Sequence, residues 1–373
     1  MKGIECIELR KFITEYKQKN EKNEFKPVAV GKYGIRTRES IYSKELAKDY
    51  SKNKIIFKNT LTVGMGSRQI DIGILTDDVI YSVSPAYHTY KISDINADYL
   101  RYCLMCRNED MFKRFVKRGS RQGKSIDLKR WLEYEIPVYD VCNQEKIVLK
   151  LNKVTNVISM RKQQLQKLDE LIQARFVELF GEPILNPKEW KTVTIGDIAL
   201  DVRYGTSRPA VEGGKYPYLR MNNLTIDGHL DLTDLKYIDI PEDELEKCVV
   251  RKGDILFNRT NSLELVGKTA VFDLCEDMVI AGYIIRVRLN NKMMLPEIFS
   301  QYMNHKTLKK ILRGMAKGAV NQANINAKEL QSIKIYVPNM KLQDEFVTFV
   351  NQVNKSKLVI KNLLQIYKHQ IQM

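Results

Sequence analysis

Apolar residues recur along two stretches of the chain in alternating steps of four and three. The first series runs Ile147, Leu151, Val154, Ile158, Leu165, Leu168, Ile172 and Leu179, with Arg161 and Arg175 standing at two of its positions. The second runs Phe346, Val350, Val353, Ile360, Leu364, Tyr367 and Ile371, interrupted by Lys357. A 3.5-residue apolar period sustained over several heptads predicts long helices joined along a narrow seam. Off the seam, both stretches are mostly Lys, Gln, Asn, Asp and Glu. Pairing of the two helices with each other is the economical solution; packing of each on its own domain is the alternative. Gly181, Pro183 and Pro187 end the first helix.

Shifting the first series by 199 residues gives the second in register, and the passage before each helix repeats as well. SIDLKRWLEYEIPVYDVCNQEKIV (Ser125 to Val148) aligns without a gap on NINAKELQSIKIYVPNMKLQDEFV (Asn324 to Val347). Ile126 matches Ile325, Ile136 matches Ile335 and Gln144 matches Gln343. Further upstream, NKIIFKNT around Phe57 resembles GDILFNRT around Phe257, and KYGIRTR from Lys32 resembles RYGTSRP from Arg203. ECIELRKFI can be laid against KTVTIGDIA at Lys191. A period this long indicates two similar domains rather than a solenoid. NKIIF, DVIYSVS, GDILFN and MVIAGYIIRVRL read as strands, whereas ADYLRYCLMCRNEDMFKRFVK and PEIFSQYMNHKTLKKILRGMA have helical periodicity. The expected class is α+β: globular unit, long helix, globular unit, long helix, with bounds at 1–141, 142–181, 182–339 and 340–373.

At 373 residues the chain is too long for one ordinary core. No apolar run is long enough to span a bilayer, and MKGIECIELRK lacks a signal-peptide core, so no membrane association and a cytoplasmic location are expected. Cys6, Cys103, Cys106, Cys142, Cys248 and Cys275 lack a secreted-scaffold spacing, which points to free thiols. A net charge of +16 suits a polyanionic partner, nucleic acid being the commonest. Basic residues gather at matching places: Lys113, Arg114, Lys117, Arg118, Arg121 and Lys124 in one copy, Lys306, Lys309, Lys310, Arg313 and Lys317 in the other. Such helix-and-loop charge can neutralise phosphates, although a solvated helix face has the same composition.

Reading bases takes Arg or Lys for guanine and Asn or Gln for adenine. Loops of that composition supply the remaining DNA-binding candidates: Tyr33, Arg36, Arg38 and Arg68 in the first copy, and Tyr204, Ser207, Arg208, Arg220, Asn222, Arg259, Asn261, Asn321 and Gln322 in the second. Turn-forming loops carry the same residues for conformational reasons. No catalytic residues are expected. The Asn-Pro-Pro-aromatic motif of adenine methyltransferases is missing, and so is a P-loop. Glu182, Glu189 and Lys191 mimic the acid-x-lysine core of metal-dependent nucleases, but sit in a Pro-rich connection. Cys103 and Cys106 form a lone C-x-x-C, and the four histidines are scattered, so no metal site is expected.

WKTVTIGDIA, YLRMNNL, RKGDILFNRTNSLELVGKTAV, GAVNQANINAKELQSIKIYVPNMKLQDEFV and the junction KLDELIQARFVELFGEP together resemble the specificity subunit of type I restriction-modification systems. The resemblance covers essentially the whole chain. The first copy departs further: it has no counterpart of Trp190, and GSRQGKSI stands where Gln322 to Ile325 carries the family's Gln-x-Asn-Ile. The resemblance implies two target-recognition domains alternating with two long helices, which pair as an antiparallel coiled coil with pseudo-twofold symmetry. It implies double-stranded DNA as ligand, read as a bipartite gapped target with one domain per half-site. At ~1.5 Å per residue, a helix of about 35 residues spans roughly 50 Å, more than the ~34–36 Å of one DNA turn.

Partners implied by the resemblance are two methyltransferase subunits, carrying S-adenosylmethionine, and restriction subunits, using ATP and Mg; this chain itself would hold no cofactor. The equivalent subunit of a fused restriction-methyltransferase system fits the same residues. A coiled-coil adapter that binds DNA without sequence preference, and a small nuclease, remain alternatives from other classes.

Overall fold

A computed structural model of the chain describes residues 5–32, 34–41, 47, 49–119, 123–319 and 322–372. It divides into two compact units: Met1–Arg161 with Leu363–Met373, and Lys162–Asn362. Both boundaries fall inside the long helices, Val141–Phe180 and Met340–Gln372.

The two units share one strand topology. In the first, a four-stranded sheet has the order Ile13–Glu15, His88–Ile92, Thr60–Met65, Ile70–Leu75, all antiparallel. In the second, the order is Ala199–Tyr204, Ile284–Leu289, Ile255–Asn258, Thr269–Val271. Beside it in each unit, a hairpin runs parallel to the partner of a short strand. Val28–Gly31 and Gly34–Thr37 form the first hairpin, and Pro27 bridges in parallel to Ser82 of Tyr81–Val83, which pairs with Lys54–Ile56. Tyr216–Leu219 and Lys236–Ile238 form the second, parallel to Met278–Ile280, which pairs with Val249–Val250. Each unit is closed by its opening strand pairing antiparallel with the strand before its long helix: Glu5–Glu8 with Glu135–Val138, and Lys191–Thr194 with Lys334–Val337. That last pair matches the expected alignment of ECIELRKFI with KTVTIGDIA.

Two of the expected alignments shift. Lys54–Ile56 is equivalent to Val249–Val250, so FKNT matches the turn Arg251 to Asp254, and the next strand, Thr60–Met65, matches Ile255–Asn258. The turn explains the residues. Asn59 and Gly253 both hold positive φ, 62° and 94°, and the side chains of Thr60 and Asp254 accept the N–H groups of Phe57 and Arg251. Short β-branched runs look alike, and only strand pairing separates them. KYGIRTR and RYGTSRP are likewise not equivalent: Gly34–Thr37 belongs to the second sheet, whereas Arg203 and Tyr204 end a strand of the first. Their likeness is the shared composition of turns.

Each expected helical stretch within the units is two helices: Ala97–Cys106 and Asn108–Phe115, then Pro296–Asn304 and Lys306–Met315. The first long helix ends where Gly181, at φ +84°, donates its N–H to the Val177 carbonyl at 2.8 Å. A side chain there would meet the Pro187 ring at 2.7 Å.

One hydrogen-bond set accounts for the repeated passage. Gln144, buried, accepts the Asn96 N–H at 2.9 Å and donates to the Tyr139 carbonyl at 2.7 Å. Gln343, buried, accepts the Leu295 N–H at 2.8 Å and donates to the carbonyls of Pro338, at 2.8 Å, and Met293. Shifted by 199, Asn96 falls on Leu295 and Tyr139 on Pro338. In both units this glutamine ties the start of a long helix to the loop ahead of a helix pair, Ala97–Cys106 with Asn108–Phe115 in one and Pro296–Asn304 with Lys306–Met315 in the other. A buried amide at that junction has few substitutes, because each orphaned backbone group costs ~1–3 kcal/mol.

Candidate nucleic-acid interface

In the second unit a hairpin, Lys317–Ala319 and Gln322–Asn324, adds to the short strand Thr260–Asn261 as a three-stranded sheet. The Thr260 hydroxyl donates to Asn324 Oδ1 at 3.0 Å, and the Ile325 N–H to the Arg259 carbonyl at 2.9 Å. The Arg259 guanidinium stands 5.0 Å over the Tyr204 ring, while the Tyr204 hydroxyl accepts the Ala327 N–H at 2.8 Å. Asn261 uses its amide on the loop, donating to Asn258 Oδ1 and accepting from the Ser262 N–H. Lys317 reaches Glu329 at 2.6 Å, and this contact holds the Glu329 carboxyl below its usual range. Tyr204, Arg259, Asn261, Lys317 and Gln322 are therefore one group. Ser207 is exposed nearby in sequence, past Thr206, whose N–H reaches the Ile280 carbonyl.

The other described second-unit candidates lie outside that sheet, and two of them are engaged locally. Arg208 forks onto Glu244 at 3.0 and 2.7 Å. Arg220 holds Asp234 through its carboxylate at 2.8 Å and its carbonyl at 3.0 Å. Asn222 is exposed on the short turn Met221–Asn223.

The first unit builds the equivalent hairpin from Val116–Gly119 and Gly123–Ile126. Lys124 donates to the Ser67 carbonyl at 2.5 Å and lies 5.4 Å over the Phe112 ring, so the hairpin rests on the turn that carries exposed Arg68. Lys117 pairs with Asp127 at 2.7 Å, the counterpart of the Lys317–Glu329 contact. Arg118 faces Lys124 in the ladder, but its side chain lies outside the described residues, as do Tyr33, Arg121 and Asn321. Arg36, exposed, lies in the second sheet of the unit, and Arg38, 5.4 Å over Tyr50, opens the 3-10 turn Arg38–Ser40 that follows it, so neither belongs to the hairpin.

Along the long helices, Ile172, Phe346, Val350, Val353, Ile360 and Leu364 are buried; Ile147, Leu151, Val154, Ile158, Leu165, Leu168 and Tyr367 are half-buried. Within the second unit the helices run antiparallel, since Arg175 meets Glu345 at 2.5 Å while Asp169, earlier, pairs with Lys357, later. Phe176 and Phe180 pack edge-on against Phe346, with centroids 5.7 and 5.6 Å away. These two phenylalanines, not Arg175 and Leu179, continue the seam after Ile172, because a straight helix drifts from a 3.5 to a 3.6 period. Ile172, Phe176, Phe180, Phe346, Val350 and Val353 also share one core with the strands and helices of the second unit, so pairing and packing on a domain are a single core here.

The type I restriction modification DNA specificity domain matches this chain twice, over residues 7–170 and 187–366. The chain belongs to that family. Its relatives in the family include the protein carrying the provisional name type I restriction enzyme MjaX specificity subunit, from Methanocaldococcus jannaschii, 29% identical over 179 residues, which cover 45% of this chain and 42% of the relative. The type I restriction enzyme EcoKI specificity subunit of Escherichia coli K12 is 25% identical over 258 residues, 62% of this chain and 55% of that one. The chain thus spans about half the length of these curated relatives. Two solved structures share the fold. A chain from work on complex assembly and conformational transition of the type I R-M system aligns at TM-score 0.55 and 17% identity, covering 100% of this chain and 96% of that one. The S subunit of the type I restriction-modification system from M. genitalium aligns at TM-score 0.51 and 15% identity, covering 100% and 95%.

Family membership does not mark the residues that sequence reasoning passed over. Gln144 and Gln343 were visible as repeated positions but not as the tie they make. Phe176 and Phe180 follow Ile172 at steps of four. Lys357, buried in the seam, read only as an interruption. Among the described residues, no three His, Cys, Asp or Glu gather as a metal site, and no helix is long and apolar enough to cross a membrane.

Proposed function

We propose that this chain is the DNA-specificity subunit of a type I restriction-modification complex, a non-catalytic protein of the cytoplasm. Residues 1–141 and 182–339 would each read one half of a bipartite, gapped duplex target, and the helices 142–181 and 340–373 would pair and scaffold two methyltransferase subunits and the restriction subunits. The observation that carries the reading is the recurrence of one topology, with a hairpin following a basic helix, in both units of a chain matched twice by the specificity-domain family. Phosphate contacts from Lys and Arg would set the register, and side chains such as Arg68, Arg259, Asn261 and Gln322 would supply groups for base edges. Flipping and methyl transfer would belong to the methyltransferase, with its S-adenosylmethionine.

Co-expression with the methyltransferase of its system, in a host free of adenine methylation, tests this by genome-wide mapping of modified bases. One split motif, lost when either partner is omitted, is the expected result. A stable complex that modifies nothing, with equal affinity for every duplex, would instead make the chain a non-specific DNA-binding adapter.

A further inference from the structure

In the second unit, a pocket of about 280 Å3 lies between the helix Lys306–Met315 and the loop from Glu264 to Lys268. Its lining includes Lys268, Lys306, Lys309, Lys310 and Arg313 against a single acid, Glu264, with Ile226, Leu265 and Val266 as apolar wall. Among the described residues, none of the five cations has a carboxylate within ion-pair distance. Carbonyls orient three of them instead. Lys268, buried, donates to Met221 at 2.7 Å and Leu224 at 2.5 Å, Lys309 to Gly267, and Arg313 to Glu264 at 3.4 Å.

The first unit handles the same position differently. On its helix Asn108–Phe115, Lys113 pairs with Glu109 at 2.7 Å and Arg114 with Asp110 at 2.8 Å. Shifted by 199, Asp110 becomes Lys309 and Arg114 becomes Arg313, so an acid that neutralises one helix is a lysine in the other. Two basic stretches that look alike in sequence are therefore unlike in charge balance.

We infer that this pocket binds a phosphate group. Converging cations that outnumber the one acid of the lining and form no ion pair with it, on a partly apolar wall, are costly unless an anion joins them, and low local dielectric strengthens that attraction. Burial, and after it the charges of Arg313 and Lys268, pushes the Lys309 ammonium down to about 7, so an anion beside it would favour its charged form. Both pocket walls are continuous with the hairpin sheet: the helix runs into Lys317–Ala319, and the loop begins at Thr260–Asn261. On the proposed function, the phosphate is one of the duplex backbone beside the second half-target; a free phosphate compound offers the same chemistry.

The double variant Lys306→Gln/Lys310→Gln changes two exposed residues. In the full chain it should weaken binding to target and non-target duplexes by the same factor, and flatten log K against log salt by up to about 2, at ~0.9 for each phosphate no longer neutralised. Calorimetry with pyrophosphate separates the sources. Pyrophosphate binding that the variant abolishes, with the duplex salt slope unchanged, assigns the pocket to a free phosphate ligand. A wild-type chain without target preference, whose slope the variant still lowers, removes the specificity reading and leaves the pocket standing. Unchanged duplex binding at every salt, with no pyrophosphate bound by the wild type, overturns the inference.

Discussion

At the scale of single residues, buried polar groups carry the most information. Gln343 satisfies two carbonyls and one N–H at the head of the second long helix. Gln343→Ala orphans them, and the unfolding midpoint in urea should fall by an amount equivalent to at least ~1–3 kcal/mol. Gln144→Ala should act likewise on the first unit. Lys309 makes a pH statement. Its proton is held more weakly in the folded chain, at about 7, than at the ordinary 10.5, so the unfolded chain binds more protons between these values. Stability should therefore rise with pH from about 7 towards 10 and be lowest at and below 7. Lys309→Met should flatten that part of a thermal-midpoint profile; an unchanged slope would mean that the ammonium is solvated.

At the scale of elements, the helix pair is set by one aromatic cluster and one buried charge. Phe346→Ala removes the ring between Phe176 and Phe180 and should cost ~3–5 kcal/mol. Lys357 is different in kind. Its ammonium, nearly buried in the seam, contacts Asp169 and approaches His229 at 3.4 Å. Lys357→Met should be close to neutral, because the Asp169 carboxylate it leaves is partly exposed to water, while Asp169→Ala should destabilise by leaving a buried ammonium alone. A double-mutant cycle on the two, read by urea unfolding, measures the coupling. A buried charge that lowers stability yet holds a register is a known device in paired helices.

For the whole molecule, duplication is the organising fact, and modular specificity is what the proposed function predicts from it. Exchanging residues 1–141 for the first domain of another family member should change one half of the methylated target and leave the other. Simultaneous change of both halves would exclude one reader per half-site. Neither outcome depends on the phosphate pocket, which belongs to the second unit alone.

Sequence by itself determined the repeat, its 199-residue register, both long helices and the family. These are local or periodic signals: apolar steps of 3.5 and an ungapped alignment around Gln144 and Gln343 survive without any knowledge of neighbours. Tertiary structure decided which short strands correspond, because Lys54–Ile56 and Ile255–Asn258 differ in pairing partner rather than in composition. It also decided that the seam passes through Phe176 and Phe180, where the helix pair and the second unit share one core. Above all it decided which charges remain open. A lysine and an aspartate look the same in a count whether or not they meet, and Lys113 meets Glu109 while Lys309 meets only a carbonyl among the described residues.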